Sequence, residues 1–191
     1  MLAAATARSR LVTRHLAGSA TAAAAPSSLA SSPRSFSTSP TVAQEVKNVT
    51  VFGAGLMGAG IAQVLAHKGG YNVTLTDVSD SAVANGQKII SKSLTRVAKK
   101  SMADKSEEEQ AQFVKGVVES IHTTTDAGQA VEKTDLVIEA IIENVGIKQE
   151  LFKFLDGKAP KEAIFASNTS SLSISDIAKS TQRLDRFGGG C

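Results

Sequence analysis

Six residues constrain this chain more than any others: Gly53-Ala54-Gly55-Leu56-Met57-Gly58, a G-x-G-x-x-G run. The run follows Val49-Thr50-Val51-Phe52, an apolar and β-branched strand pattern. It precedes a segment that places Ile61, Val64 and Leu65 on one helical side. Isolated, such a run says little. Between a strand and a helix it is a turn that lays the pyrophosphate of a dinucleotide on a helix N-terminus. Gly53 permits the tight turn, Gly55 lets the backbone approach the pyrophosphate, and Gly58 lets the helix pack close to the sheet. Asp77 stands nineteen residues beyond Gly58 and ends a second strand pattern, Asn72–Thr76. Its carboxylate suits an adenosine ribose diol and repels a 2′-phosphate, which favours NAD over NADP. FAD uses the same turn, so the motif alone leaves a flavin open.

Beyond the turn, strand and helix patterns alternate. Gly69-Gly70 stops the first helix. Ser79 or Asp80 caps a long helix reaching about Lys100, and Ser106 with Glu109 reads as a capping box that opens a helix towards Val118. Strands are predicted at 120–124, 136–140 and 164–166, with helices near 127–132, 145–156 and 174–179. Leu136-Val137-Ile138 is apolar throughout, as a strand covered on both faces must be. The expected fold is therefore α/β, a Rossmann-type doubly wound and mainly parallel sheet.

Residues 1–44 differ in kind. They are dominated by Ala, Ser and Thr, and they contain Arg8, Arg10, Arg14 and Arg34 but no acid before Glu45. This is the composition of an organellar transit peptide, with Arg8, Arg10 and Arg14 among Leu11, Val12 and Leu16 as a basic amphipathic segment. Arg34-Ser35-Phe36-Ser37 suits a matrix-protease cut after Phe36, and the expected destination is the mitochondrial matrix. The division expected is a leader at 1–44, a nucleotide-binding domain at 45–187 and a divergent tail at 188–191. The net charge of +3 comes from the leader, because the remainder holds 17 basic against 18 acidic side chains. A general nucleic-acid-binding face needs a net basic surface, so that class is set aside. No apolar run is long enough to span a membrane. The single cysteine, Cys191, excludes an internal disulfide and a Cys-based zinc cluster, and no metal site is expected.

Lys88, Lys92, Arg96 and Lys100 recur every four residues, with Ser93 beside them, and make one basic helical face. Such a face serves either as an ordinary solvated surface or as a dock for a phosphate-bearing substrate such as a coenzyme A ester.

Four segments carry a resemblance: VTVFGAGLMGAG at 49–60, DLVIEAIIEN at 135–144, Leu151-Phe152-Lys153, and IFASNTSSL at 164–172, continuing to Asp185-Arg186-Phe187. Over about residues 46–189 the chain closely resembles the mitochondrial short-chain 3-hydroxyacyl-CoA dehydrogenases. These oxidise the 3-hydroxyl of an acyl-CoA with NAD in fatty-acid β-oxidation. The resemblance implies that Gly53, Ala54, Gly55, Leu56, Met57 and Gly58 hold the pyrophosphate and Asp77 the adenosine ribose. It implies NAD contacts for Glu143 and Lys148, CoA contacts for Ser93 and Lys100, and a place for Ser170 beside both the nicotinamide and the substrate hydroxyl.

The family's base is a histidine, oriented by a glutamate, and both follow the position of Arg186-Phe187. Here the sequence reads Gly188-Gly189-Gly190-Cys191, with Cys191 in the histidine's place. The family's all-helical second domain, which forms its homodimer interface, lies further on. The resemblance thus implies an acyl-CoA substrate, and little turnover from a chain holding only the cofactor domain. A catalytically inactive NAD- or CoA-binding module and a 3-hydroxybutyryl-CoA dehydrogenase are the competing expectations.

Overall fold

The computed structural model describes residues 45–190. The leader and Cys191 lie outside them, and with these the expected transit peptide, its cleavage site and the thiol.

Six strands form one parallel sheet: β1 (Asn48–Phe52), β2 (Asn72–Thr76), β3 (Ile121–Thr124), β4 (Leu136–Glu139), β5 (Ile164–Asn168) and β6 (Phe187–Gly190). Their spatial order is β3-β2-β1-β4-β5-β6. The chain winds outward from β1 through β2 to β3, returns to place β4 on the other side of β1, and winds outward again. Val49 pairs with both Val73 and Leu136, so β1 is the centre of the sheet. Order reversal between β1 and β4 leaves a crevice above the carboxyl ends of the strands, where α/β sheets bind ligands.

Helices α1 (Leu56–Val64), α2 (Asp80–Ser101), α3 (Glu107–Glu119), α4 (Ala127–Val131), α5 (Val145–Asp156) and α6 (Ile174–Ala178) connect the strands. The pleat of β1 divides the core. Val49 and Val51 point to one face and pack with Ala59, Ala62, Ile90 and Leu94 of α1 and α2, while Phe52 joins Val137, Phe152, Leu155 and Phe165 on the other. Every side chain of this size, fully buried, stabilises by about 1.5–3 kcal/mol, so the two cores fix the crevice between them.

Local signals hold at the helix starts. Ser79 accepts the Ala82 amide, Asn144 accepts the Ile147 amide, and the Ser106–Glu109 box closes in both directions at 3.2 and 3.0 Å. After Val64 the chain continues as a π-helical turn, Leu65–Gly69, and Gly70 ends it with φ of +67°. The pattern of Ile61, Val64 and Leu65 gave no sign of that wider turn. Beyond Phe187, Gly188–Gly190 continue β6 and pair with Ala166–Asn168 of β5. Phe187 anchors that strand, its ring 4.6 Å from Phe152.

Candidate functional site

At the carboxyl end of β1 the chain turns through Gly53, whose φ is +99°. A Cβ there would stand 2.5 Å from the Ala140 carbonyl oxygen at the end of β4. The Gly53 amide donates to the Thr76 carbonyl at 2.8 Å, and the Ala54 amide donates to the Asp77 carboxylate at 2.7 Å. The Val78 amide takes the other Asp77 oxygen at 2.7 Å. Asp77 therefore braces the glycine turn and also lines the pocket beside it.

The first amides of any helix lack partners within it. Helices α2 to α6 meet this need with Ser79, Ser106, Asp126, Asn144 and Ser173. Helix α1 opens at Gly55 with no side-chain cap and no acid in its first turn. A Cβ on Gly55 would meet nothing within 4 Å, whereas one on Gly58 would lie 1.8 Å from the Gly53 carbonyl oxygen. Gly58 is thus demanded by packing. At Gly55 the packing makes no such demand, and the space a methyl would take is the approach to the open amides. That cradle fits a diphosphate. Beside it lies an apolar pocket of about 280 Å³ lined by Phe52, Val78, Ile141, Ile147 and Leu151, next to Asp77. Its apolar lining suits a heterocycle. Leu56 and Met57 stand exposed at the rim.

On the β4–β5 side the site is built from charged side chains. Lys148 of α5 is fully buried, with its ammonium 3.0 Å from Glu139 and 2.9 Å from Glu143. Its third contact is the Asn168 carbonyl at 3.4 Å. Glu139 is fully buried as well and accepts the Ser167 hydroxyl at 2.6 Å and the Ile141 amide at 2.7 Å. Glu143 is partly exposed and accepts the Thr169 hydroxyl in a short bond and the Ser171 hydroxyl at 2.9 Å. The Thr169 hydroxyl first, and then the Lys148 ammonium, hold the Glu143 carboxyl down at about 2. Ser170 lies between these two anchors, exposed, its hydroxyl without a partner among the described residues.

The structure thus gathers Gly53–Gly58 with Asp77, and Glu143 and Lys148 with the loop carrying Ser170. Lys148 lies beneath the surface with all its donors engaged, so it reaches the crevice through Glu143. Lys100 is exposed and Ser93 half-buried on α2, on the flank of the buried stripe of Val83, Ile90, Leu94 and Ala98. No hydrogen bond or ion pair ties either residue to the two groups among the described residues. An open groove of about 840 Å³ lies between α2 and α3 and is lined by none of the expected site residues. Glu139 and Ser167 were missed from sequence. An acid inside the apolar run 136–140 was the available signal, since a carboxylate in a covered strand requires a partner. Among the described residues no cluster of potential metal ligands occurs, and no helix is long and apolar enough to cross a membrane.

Residues 48–190 match the family described as 3-hydroxyacyl-CoA dehydrogenase, NAD binding domain. The mitochondrial hydroxyacyl-coenzyme A dehydrogenase of Sus scrofa is 50% identical over 161 residues, covering 82% of this chain and 51% of that protein. Its Homo sapiens counterpart is 52% identical over 146 residues, covering 75% and 45%. Among solved structures, the (S)-3-hydroxybutyryl-CoA dehydrogenase PaaH1 of Ralstonia eutropha superposes with a TM-score of 0.67 at 39% identity, covering 76% of this chain and 48% of that one. The chain spans about half the length of these relatives. The match also decides between the two cofactors that the glycine turn left open: the cradle is that of an NAD-binding domain. The chain belongs to the 3-hydroxyacyl-CoA dehydrogenase NAD-binding domain family.

Proposed function

We propose that this chain carries the cofactor half of an NAD-dependent 3-hydroxyacyl-CoA dehydrogenase of the mitochondrial matrix. The observation that carries the reading is the uncapped N-terminus of α1 behind Gly55, with Asp77 bracing the turn. When bound, NAD supplies the hydride acceptor for C3 of a 3-hydroxyacyl-CoA. The chain's own residues bind and orient. The amides opened at Gly55, Leu56 and Met57 take the diphosphate at the positive end of the α1 dipole. Asp77 accepts the adenosine ribose hydroxyls and repels a 2′-phosphate. Glu143, fixed by Lys148, Thr169 and Ser171, borders the nicotinamide ribose. The Ser170 hydroxyl both donates and accepts, so it holds the substrate oxygen as alcohol and as ketone. Ser93 and Lys100 take the phosphates of the CoA moiety, which the exposed stripe of Lys88, Lys92, Arg96 and Lys100 supports. The acid-free, arginine-bearing stretch 1–44 and the mitochondrial relatives support the matrix address. The solved 3-hydroxybutyryl-CoA relative supports a short acyl chain. A homodimer belongs to the same proposal.

Calorimetric titration tests it. NADH should bind with micromolar affinity and NADPH far more weakly. Lys100→Glu should weaken acetoacetyl-CoA binding and leave NADH unchanged. Absence of NADH binding at millimolar ligand overturns the cofactor role. Equal acetoacetyl-CoA affinity in Lys100→Glu returns the basic stripe to an ordinary surface.

A further inference from the structure

Glu139 ends β4 with a carboxylate that no solvent reaches. Burying a carboxylate is costly unless each oxygen is satisfied. Here three elements satisfy it: the Ile141 amide in the following loop at 2.7 Å, the Lys148 ammonium of α5 at 3.0 Å, and the Ser167 hydroxyl of β5 at 2.6 Å. Two connections run from it to the loop after β5. One passes through Lys148 to Glu143, which grips Thr169 and Ser171 on either side of Ser170. The other passes through Ser167, three residues before Ser170, whose one hydroxyl proton is committed to Glu139. Lys148 also holds the Asn168 carbonyl at 3.4 Å, on the strand leading into the loop. Glu139 and Lys148 are sealed from the crevice, so neither meets a ligand directly in this arrangement.

We propose that Glu139 is a positioning residue for the nicotinamide side of the site: through Lys148 and Ser167 it sets the place of the loop Thr169–Ser171 and so of the Ser170 hydroxyl. The inference rests on the reading of Ser170 as facing the nicotinamide. It separates two halves of one cofactor. The glycine turn and Asp77 hold the adenosine diphosphate half without using Glu139. The loop after β5 holds the nicotinamide half only when Glu139 keeps its contacts to Lys148 and Ser167.

The test compares NADH with ADP-ribose, which lacks the nicotinamide, on the full 191-residue chain. Glu139→Gln keeps the shape and removes the charge, and it should weaken NADH by about three- to tenfold while ADP-ribose binding stays within twofold. Ser167→Ala, which removes only the hydroxyl, should move the same way by less and serves if Glu139→Gln does not fold. Ser170→Ala should lose a similar NADH increment, and Glu139→Gln combined with Ser170→Ala should lose no more than the larger single effect. Equal loss of both ligands in Glu139→Gln and Ser167→Ala means a general structural role and overturns the proposal while the Ser170 reading stands. Unchanged NADH binding in Ser170→Ala overturns that reading, and the proposal with it.

Discussion

Gly55 and Gly58 lie three residues apart, and the structure gives them opposite reasons to be glycine. A Cβ on Gly58 would stand 1.8 Å from the Gly53 carbonyl oxygen and 3.5 Å from Val51 Cγ1. Backbone cannot rotate out of the way. Relief requires α1 to move off β1, through a core in which Val51, Ala59 and Ala62 are fully buried. Overpacking by a methyl group costs about 1–3 kcal/mol, and an overlap with rigid backbone belongs at the top of that range. At roughly 2–4 °C per kcal/mol for a domain of this size, Gly58→Ala should melt about 6–12 °C below the parent. A Cβ on Gly55 meets nothing, and its φ of −70° suits alanine. The gain from a stiffer unfolded chain, about 0.4–1 kcal/mol, opposes the poor capping of alanine, about 0.5–1 kcal/mol. The melting temperature of Gly55→Ala should therefore stay within about 2 °C of the parent. Binding should weaken. The methyl group stands over the amides meant for the diphosphate, and losing one hydrogen bond to a charged group, about 1.5–3 kcal/mol, weakens NADH by about tenfold or more. Circular-dichroism melts and NADH fluorescence titrations read the two effects separately. Parent-like NADH binding by Gly55→Ala refutes the cradle, and a parent-like melt for Gly58→Ala refutes the packing argument.

Three further outcomes follow from other contacts. Arg183 donates to Asp156 Oδ1 at 2.6 Å, to the Pro160 and Ala163 carbonyls at 2.8 and 3.0 Å, and stacks 4.2 Å over the Phe165 ring. Arg183→Ala strands Asp156 and these carbonyls, so urea unfolding should show a loss of about 3–5 kcal/mol, and Arg183→Lys should recover little of it because the fork is lost. Acid should destabilise the domain in a defined direction. The Asn48 and Lys47 amides lower the Asp135 carboxyl, and Glu143 is lowered from 4.5 to about 2 by the Thr169 hydroxyl and then Lys148. Depressed carboxyls stabilise above their unfolded values and lose that contribution as pH falls through their folded ones. Urea midpoints should thus fall most steeply from about 4.5 towards 2, and a flat profile down to 2.5 contradicts the assignment. Asp77→Asn removes the charge that repels a 2′-phosphate, so the preference for NADH over NADPH should narrow by about tenfold, measured by competitive titration; an unchanged ratio places discrimination elsewhere.

Much of the fold was legible because its signals are local. Val49–Phe52, the glycine turn and Asp77 lie within thirty residues, and their spacing alone yields strand, turn, helix and second strand. The caps Ser79, Ser106 and Asn144 mark helix starts by hydrogen bonds spanning three residues. The rest was hidden by distance along the chain. Strand β6 follows its single strand former, Phe187, with three glycines, which have little strand propensity. The β5 ladder and the wedge of Phe187 against Phe152 hold it instead. Arg183 reaches partners 20 to 27 residues away, so its place cannot be read from its neighbours. At the site, Glu143, Lys148 and Ser170 came from resemblance and not from spacing. Glu139 sat unremarked inside an apolar strand whose only odd feature was its charge.

The two halves of the crevice are made from different materials, and that difference governs what substitution can do to each. On the β1–β2 side the proposed ligand contacts are backbone amides. Their geometry is set by where a Cβ fits and where it does not, and side-chain chemistry enters only through Asp77. Substitution there acts on one property at a time, on the fold at Gly58 and on binding at Gly55. On the β4–β5 side the contacts come from a connected set: Glu139, Lys148, Glu143 and the hydroxyls of Ser167, Thr169 and Ser171. A change in any member passes to the others, because each has its donors or acceptors committed. Grip on the cofactor's phosphates is therefore a property of the turn, nearly independent of the rest. If Ser170 faces the nicotinamide as proposed, placement of the reacting end is shared among six residues, and substitution there changes affinity in graded steps.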